Sequence, residues 1–209
     1  MSYSYSDDEG IFLVTLARRT VDDYVKDKKK SEVPKDTPKK LFENSGVFVT
    51  LNSIVENHVQ LRGCIGRPYP NQPLVEATID SAVDSAVHDP RFPPVTSREL
   101  DEILVDLSVL TPPSKLEYSD PEDLLDLVEV GRDGLIASQG MMRGLLLPQV
   151  PVQYDWDTKT YLEHTCNKAG LHKDAWRNTK TEFMAFQAEI FGESQPREGI
   201  IRDPKHARY

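Results

Sequence analysis

Cysteine is scarce in this chain. Cys64 and Cys166 are the only two. They are too few for a disulfide framework and form no CxxC pair, so nothing points to an oxidising compartment. Long apolar runs are missing as well. The densest, IFLVTL (11–16) and GLLLP (144–148), fall far short of the roughly 18 residues a membrane helix needs. There is no HExxH, P-loop or GxGxxG, and the five histidines (58, 88, 164, 172, 206) lack zinc-site spacing. No cofactor and no metal are therefore expected. The opening MSYSYSDDEG has no basic stretch leading into an apolar one, so it does not read as a secretory signal. The expectation is a soluble, cytoplasmic protein with no membrane association.

Positive charge is also in short supply. Lys and Arg number 25 against 34 Asp and Glu, a net charge of −9. A duplex-binding protein usually concentrates basic residues on one face, so nucleic acid is not an expected partner. The one basic cluster, KDKKKSEVPKDTPKK (26–40), sets seven lysines against three acids. No aromatics interleave with them, and the stretch reads as a solvated loop after a helix.

What is present is a run of well-marked elements. Ser6 and Glu9 have capping-box spacing, and Leu13, Leu16, Ala17, Val21 and Val25 recur at helical intervals, so a helix is expected over about 7–27. GVFVTLN (46–52) and HVQLRGCIG (58–66) read as a hairpin. A helix from Asn71 and Pro73 to about 88 follows, and DPRFPP (89–94) stops it. ILVDLSVL (103–110) alternates with Asp106 and Ser108 outward. A short helix or turn near 121–126, a hairpin over 134–148 and a helix capped by Asp157 come next. A final strand spans 182–191, with Met184, Phe186, Ala188 and Ile190 on one face. Short turns join neighbouring strands without a βαβ rhythm, which argues an α+β class with a largely antiparallel sheet and helices packed on it. No Gly/Ser- or Pro-rich linker divides the middle of the chain. The expected organisation is one domain over 1–195, with a small lobe of about 60–100 inserted in a larger one, and a loosely held tail over 196–209.

The strand at 58–66 holds the chemistry. By simple alternation, Val59, Leu61 and Ile65 share one face, while His58, Gln60, Arg62 and Cys64 share the other. A guanidinium beside a thiol favours the thiolate, the nucleophilic form. Arg62 can also grip a carboxylate or phosphate with two hydrogen bonds. Gly63 and Gly66 leave room for a backbone or ligand to approach. The competing reading is structural: a packed cysteine, an arginine paired with a nearby acid, and glycines serving a bulge. Cys166 lies on the inward stripe of its helix and reads as core. Glu76, Asp80, Asp84 and His88 repeat every four residues and read as a solvated acidic face rather than a metal site. His88 and Asp89 end that helix within reach of a site beside it.

LRGCIG, PYPNQPLVEAT, DPRFPPVTSREL, VDLSVLTPP, VGRDGLI and GLLLPQVPVQYDWD, in this order, resemble the AMMECR-type family in its archaeal form, over about 8–200. That resemblance implies an α+β fold of two lobes with the LRGCIG strand beside a cleft. It also implies a site at Leu61, Arg62, Gly63, Cys64, Ile65 and Gly66, with Asp89, Arg91 and Phe92 from the second block, and partners of Memo or radical-SAM type. It lends no support to Arg143 or His172.

Two functions follow. In the first, an enzyme acts on a small anionic or carbonyl compound with Cys64 as nucleophile, Arg62 as its electrostatic partner and His58 or His88 as base. Gln60, Gly63, Gly66, His88, Asp89 and Arg91 would line the binding site. In the second, a non-catalytic module docks a protein partner through Arg62 and RFPP (91–94). The chain carries no signature of oligomeric state.

Overall fold

The computed structural model describes residues 5–56 and 58–204. The class is α+β, and the chain divides into two compact units. Of the described residues, one unit comprises 5–110 together with 189–204; the other is Thr111–Ala188.

The first unit opens with α1 (Asp7–Asp27), whose N-terminus is closed by the reciprocal Ser6 and Glu9 capping box. The hairpin β1 (Gly46–Val55) and β2 (His58–Arg67) follows, then α2 (Leu74–Val87) and β3 (Ile103–Leu110). Later, β8 (Ala188–Gln195) and β9 (Glu198–Arg202) complete a five-stranded sheet in the order β2-β1-β3-β8-β9. The β1–β2, β1–β3 and β8–β9 pairings are antiparallel. The core forms where α1 and α2 meet one sheet face. Leu13, Ala17 and Val21 from α1, Ala82 and Ala86 from α2, and Val47, Val49 and Leu51 from β1 are all buried there.

The second unit builds a four-stranded sheet in the order β4-β7-β5-β6, all pairs antiparallel. Its strands are β4 (Ser114–Lys115), β5 (Gly134–Gln139), β6 (Met142–Leu146) and β7 (Glu182–Phe186), and its helices α3 (Leu124–Leu127), α4 (Gln149–Gln153) and α5 (Thr158–Lys168). Asp157 caps α5 by accepting from the Thr160 amide at 2.7 Å. Its stripe of Leu162, Thr165 and Cys166 is fully buried, and Cys166 belongs to the core as expected. The helix ends in Gly170 at φ 76°, left-handed backbone that favours glycine.

Several expectations change. Asn71 does not cap α2; Pro73 holds that position without a side-chain bond. Asp106 and Ser108 are buried, not outward, because β3 is an inner strand. Asn52 Nδ2 donates to Asp106 Oδ2 at 2.7 Å. The single strand over 182–191 is two strands in two sheets, parted at Gln187, whose amide and carbonyl are both bonded to Thr111. Phe183, rather than Met184, is fully buried. Residues 198–202, read as part of a loosely held tail, pair with β8, and Glu193 just before them is buried against Arg18. The stretch 60–100 lies wholly within the first unit.

Candidate functional site

The site forms along the outer edge of β2, where one residue breaks the alternation. Leu51 pairs with Gly63 and Asn52 with Leu61, so Arg62 is an extra residue, a β-bulge. Residues directly opposite each other across a ladder share a face. Gly63 and Ile65 therefore fall with Leu51 and Val49 on the helix-covered side. Cys64, Leu61 and Val59 fall with Thr50, Asn52 and Ile54 on the other. This corrects the simple alternation: Val59 and Leu61 supply no core and are each 41% exposed.

On the helix side α2 meets the strand almost backbone to backbone. A Cβ on Gly63 would lie 2.2 Å from the Ser85 carbonyl oxygen. Ser85 Oγ donates to the Val49 carbonyl at 2.7 Å and accepts from the Ile65 amide at 2.9 Å. Arg67 reaches Ser81 and Asp84 on α2 at 3.1 and 2.9 Å. Those contacts, with His88 Nδ1 at 2.9 Å from Asp84 Oδ1, occupy the acidic helix face. Among the described residues no three His, Cys, Asp or Glu side chains are grouped to hold a metal.

The DPRFPP segment turns back over the strand edge. Asp89, 4% exposed, accepts the Cys64 amide at 2.8 Å. It also holds Arg91 through Nε at 3.0 Å and Nη2 at 2.7 Å. Arg91 Nη2 lies 3.2 Å from the Cys64 carbonyl, which accepts from it. The ion pair thus offers an acceptor and a donor where a neighbouring strand would, and closes the edge of β2 at Cys64. The Arg91 hydrogen bond holds the Asp89 carboxyl down at about 2; burial works against it, and the Cys64 and Arg91 amides reinforce it.

Arg62 also turns to this segment. Its Nε donates to Glu99 Oε1 at 2.6 Å and its Nη1 to the Pro93 carbonyl at 2.9 Å. Burial raises the Glu99 carboxyl, but Arg62 and the Thr96 amide and hydroxyl outweigh it and leave it below its ordinary value. Phe92 lies between two guanidinium groups, 6.0 Å from that of Arg62 and 5.5 Å from that of Arg91.

Cys64 faces away from the helices. Thr50 Oγ1 donates to its sulfur at 3.3 Å. Burial pushes the thiol up, and the Thr50 hydrogen bond and the Arg91 charge only partly offset it. The cation that reaches Cys64 is thus Arg91, not Arg62. His58 is bonded through Nδ1 to the Glu56 carbonyl at the hairpin tip, six residues and on the order of 20 Å along the strand from Cys64. His88 is bonded to Asp84, and Gln60 is exposed. Gly66 underlies Phe48, whose ring a Cβ there would meet at 2.4 Å.

Of the residues singled out from sequence, the structure gathers Arg62, Gly63, Cys64, Asp89, Arg91 and Phe92. It does not bring His58, Gln60 or His88 to the thiol. Sequence reasoning missed Glu99, although Thr96 and Glu99 carry the T-x-x-E capping pattern that marks a carboxylate turned back on its own backbone. It also missed Thr50, identifiable only from the hairpin register.

Known proteins resemble this chain over nearly its whole length. A family model described as AMMECR1 matches residues 14–191. Protein PH0010 of Pyrococcus horikoshii is 52% identical over 205 residues, 98% of this chain and 99% of that protein. Protein TK0174 of Thermococcus kodakarensis is 52% identical over 203 residues, covering 97% and 98%. The crystal structure of PH0010, described as uncharacterised, superposes with a TM-score of 0.89 at 51% identity, over 97% of this chain and all of that one.

Proposed function

The chain belongs to the AMMECR1 family, and for its LRGCIG site we propose a binding role rather than a catalytic one: the strand edge and its covering segment dock a protein partner. The observation that carries this reading is the division of labour at Cys64. Its backbone is held by the Asp89 and Arg91 pair while its thiol is half-buried and pushed up by desolvation. A nucleophile needs a depressed pKa or a base within hydrogen-bond reach, and Cys64 has Thr50 as its neighbour. The surface of the same site offers Arg91, Pro93 and Pro94, all exposed, with Phe92 half-buried between the two arginines. Arginine and aromatic groups are the side chains that most often anchor protein interfaces.

The partners to test first are those the family resemblance implies, proteins of Memo or radical-SAM type. Titration calorimetry with a purified Memo-type protein should give saturable binding that Phe92→Ala weakens at least tenfold and Cys64→Ser leaves unchanged. Binding lost on Cys64→Ser, or absent for both partner types, would reject the docking role.

A further inference from the structure

Along one flank of α1, Asp8, Phe12, Thr15 and Arg19 follow one another at intervals of four, three and four residues, with Phe12 half-buried against the core and the other three exposed. That spacing keeps a single stripe in line along a helix, as in the seam of a coiled coil. The stripe forms one wall of a groove of about 370 Å³ whose other wall carries Pro34 and Asp36. The second wall is fixed by a turn: the Thr37 amide and hydroxyl both donate to the Pro34 carbonyl, at 3.2 and 2.7 Å. Apolar surface is open here, with Ile11 beside the stripe 42% exposed. The seam's charges are also unused. Among the described residues neither Asp8 nor Arg19 makes an ion pair, and both are exposed.

We propose that this groove is the contact face of a homodimer, in which α1 of a second copy lies antiparallel along α1 of the first. The seam is its own complement. Asp8 and Arg19 sit at opposite ends, eleven residues or about 16 Å apart, with Phe12 and Thr15 between them and Ile11 alongside. A two-fold axis through the middle of that span sets Asp8 of each copy against the partner's Arg19, and Phe12 against the partner's Thr15. The exposed Ile11 of each copy then enters the groove bounded by Pro34. Closed two-fold pairing is the commonest arrangement of soluble oligomers, and it requires a patch that matches itself in this way. A parallel arrangement would instead set Asp8 on Asp8 and Arg19 on Arg19, so the charges select the antiparallel one.

Sedimentation equilibrium of the full chain tests this directly, from micromolar to millimolar concentration. The wild-type mass should rise with concentration toward twice the 23.7 kDa of one chain. Arg19→Asp should raise the dimer dissociation constant at least tenfold, and so should Ile11→Lys on the apolar part. Combining Asp8→Arg with Arg19→Asp exchanges the charges and should restore dimerisation. Circular dichroism on each variant confirms that it is folded, and the restored double variant answers the objection that a single change merely damages α1. A wild-type chain that stays at monomer mass throughout overturns the proposal. So does a dimer indifferent to both single variants, or a folded double variant that fails to recover.

Discussion

Asp89 holds the amide of Cys64 at 2.8 Å with the same carboxylate that grips Arg91. That bond joins the two sequence blocks, LRGCIG and DPRFPP, into one clamp on the edge of the sheet. An exposed edge strand invites pairing with other chains, and at Cys64 the ion pair takes the place of that neighbour.

The clamp makes stability depend on pH. Asp89 titrates at about 2 in the folded chain against about 3.9 when unfolded. A depressed carboxyl contributes stability that is complete above the unfolded value and is lost as pH falls through the folded one. The contribution is about 1–2 kcal/mol, discounted because the Arg91 side chain is half exposed. Urea unfolding at pH 6 should therefore show Asp89→Asn less stable than wild type, and the gap should close as pH approaches 2. A gap that stays constant over that window would mean the carboxylate charge is not what holds the strand.

Gly63 is required by space rather than by backbone conformation. A Cβ there would lie 2.2 Å from the Ser85 carbonyl oxygen, a main-chain atom that cannot swing aside. Gly63→Ala must then push α2 away from β2, at a cost of about 2–3 kcal/mol. Gly140→Ala, where a Cβ meets nothing within 4 Å but φ is 61°, should cost only about 1 kcal/mol through backbone strain. Thermal melts of the two variants should rank in that order.

The two cysteines should be slow toward alkylating reagents. Burial pushes Cys166 up to about 11 and pushes Cys64 upward as well, which lowers the thiolate fraction near neutral pH. Mass spectrometry of iodoacetamide labelling against pH should find Cys64 reacting faster than Cys166, since it is only partly buried. Its midpoint should lie above the roughly 8.5 of a free thiol. A midpoint clearly below that value would restore the nucleophile reading and count against the docking role.

Much of this was legible in the sequence, for physical reasons that differ by element. α1 and α5 announce themselves because their caps, Ser6 with Glu9 and Asp157, are local chemistry acting within one turn. LRGCIG and DPRFPP were both visible as unusual, and they do meet. What simple alternation gets wrong is the face of each side chain on the strand, because one extra residue at Arg62 shifts the register. Every side chain before the bulge exchanges faces relative to those after it; the glycines allow a bulge, but six residues of sequence do not say which residue is the extra one. The parting at Gln187 was hidden for a similar reason. No glycine or proline marks it, and both of its backbone bonds go to Thr111, 76 residues away.

The last strands supply the sharpest test of that lesson, because residues past 195 read as a loose tail. Glu193 is 1% exposed and accepts from Arg18 Nε at 2.9 Å and from the Val105 amide at 3.0 Å. Arg18 Nη2 donates to the Ile103 carbonyl at 2.6 Å. One buried pair thus ties α1, β3 and β8 together. Removing one partner leaves the other charge buried and uncompensated, which costs about 3–5 kcal/mol. Glu193→Ala should accordingly lower the urea midpoint far more than Glu198→Ala, whose side chain is on the exposed start of β9. Glu193→Gln, which keeps the shape and an acceptor, should fall between them. Equal effects for the two alanine variants would show that the buried Arg18 and Glu193 pair does not anchor this end of the chain. A large effect at Glu193 alone would show that its end is anchored by charge, a kind of bond that composition and hydrophobic period do not reveal.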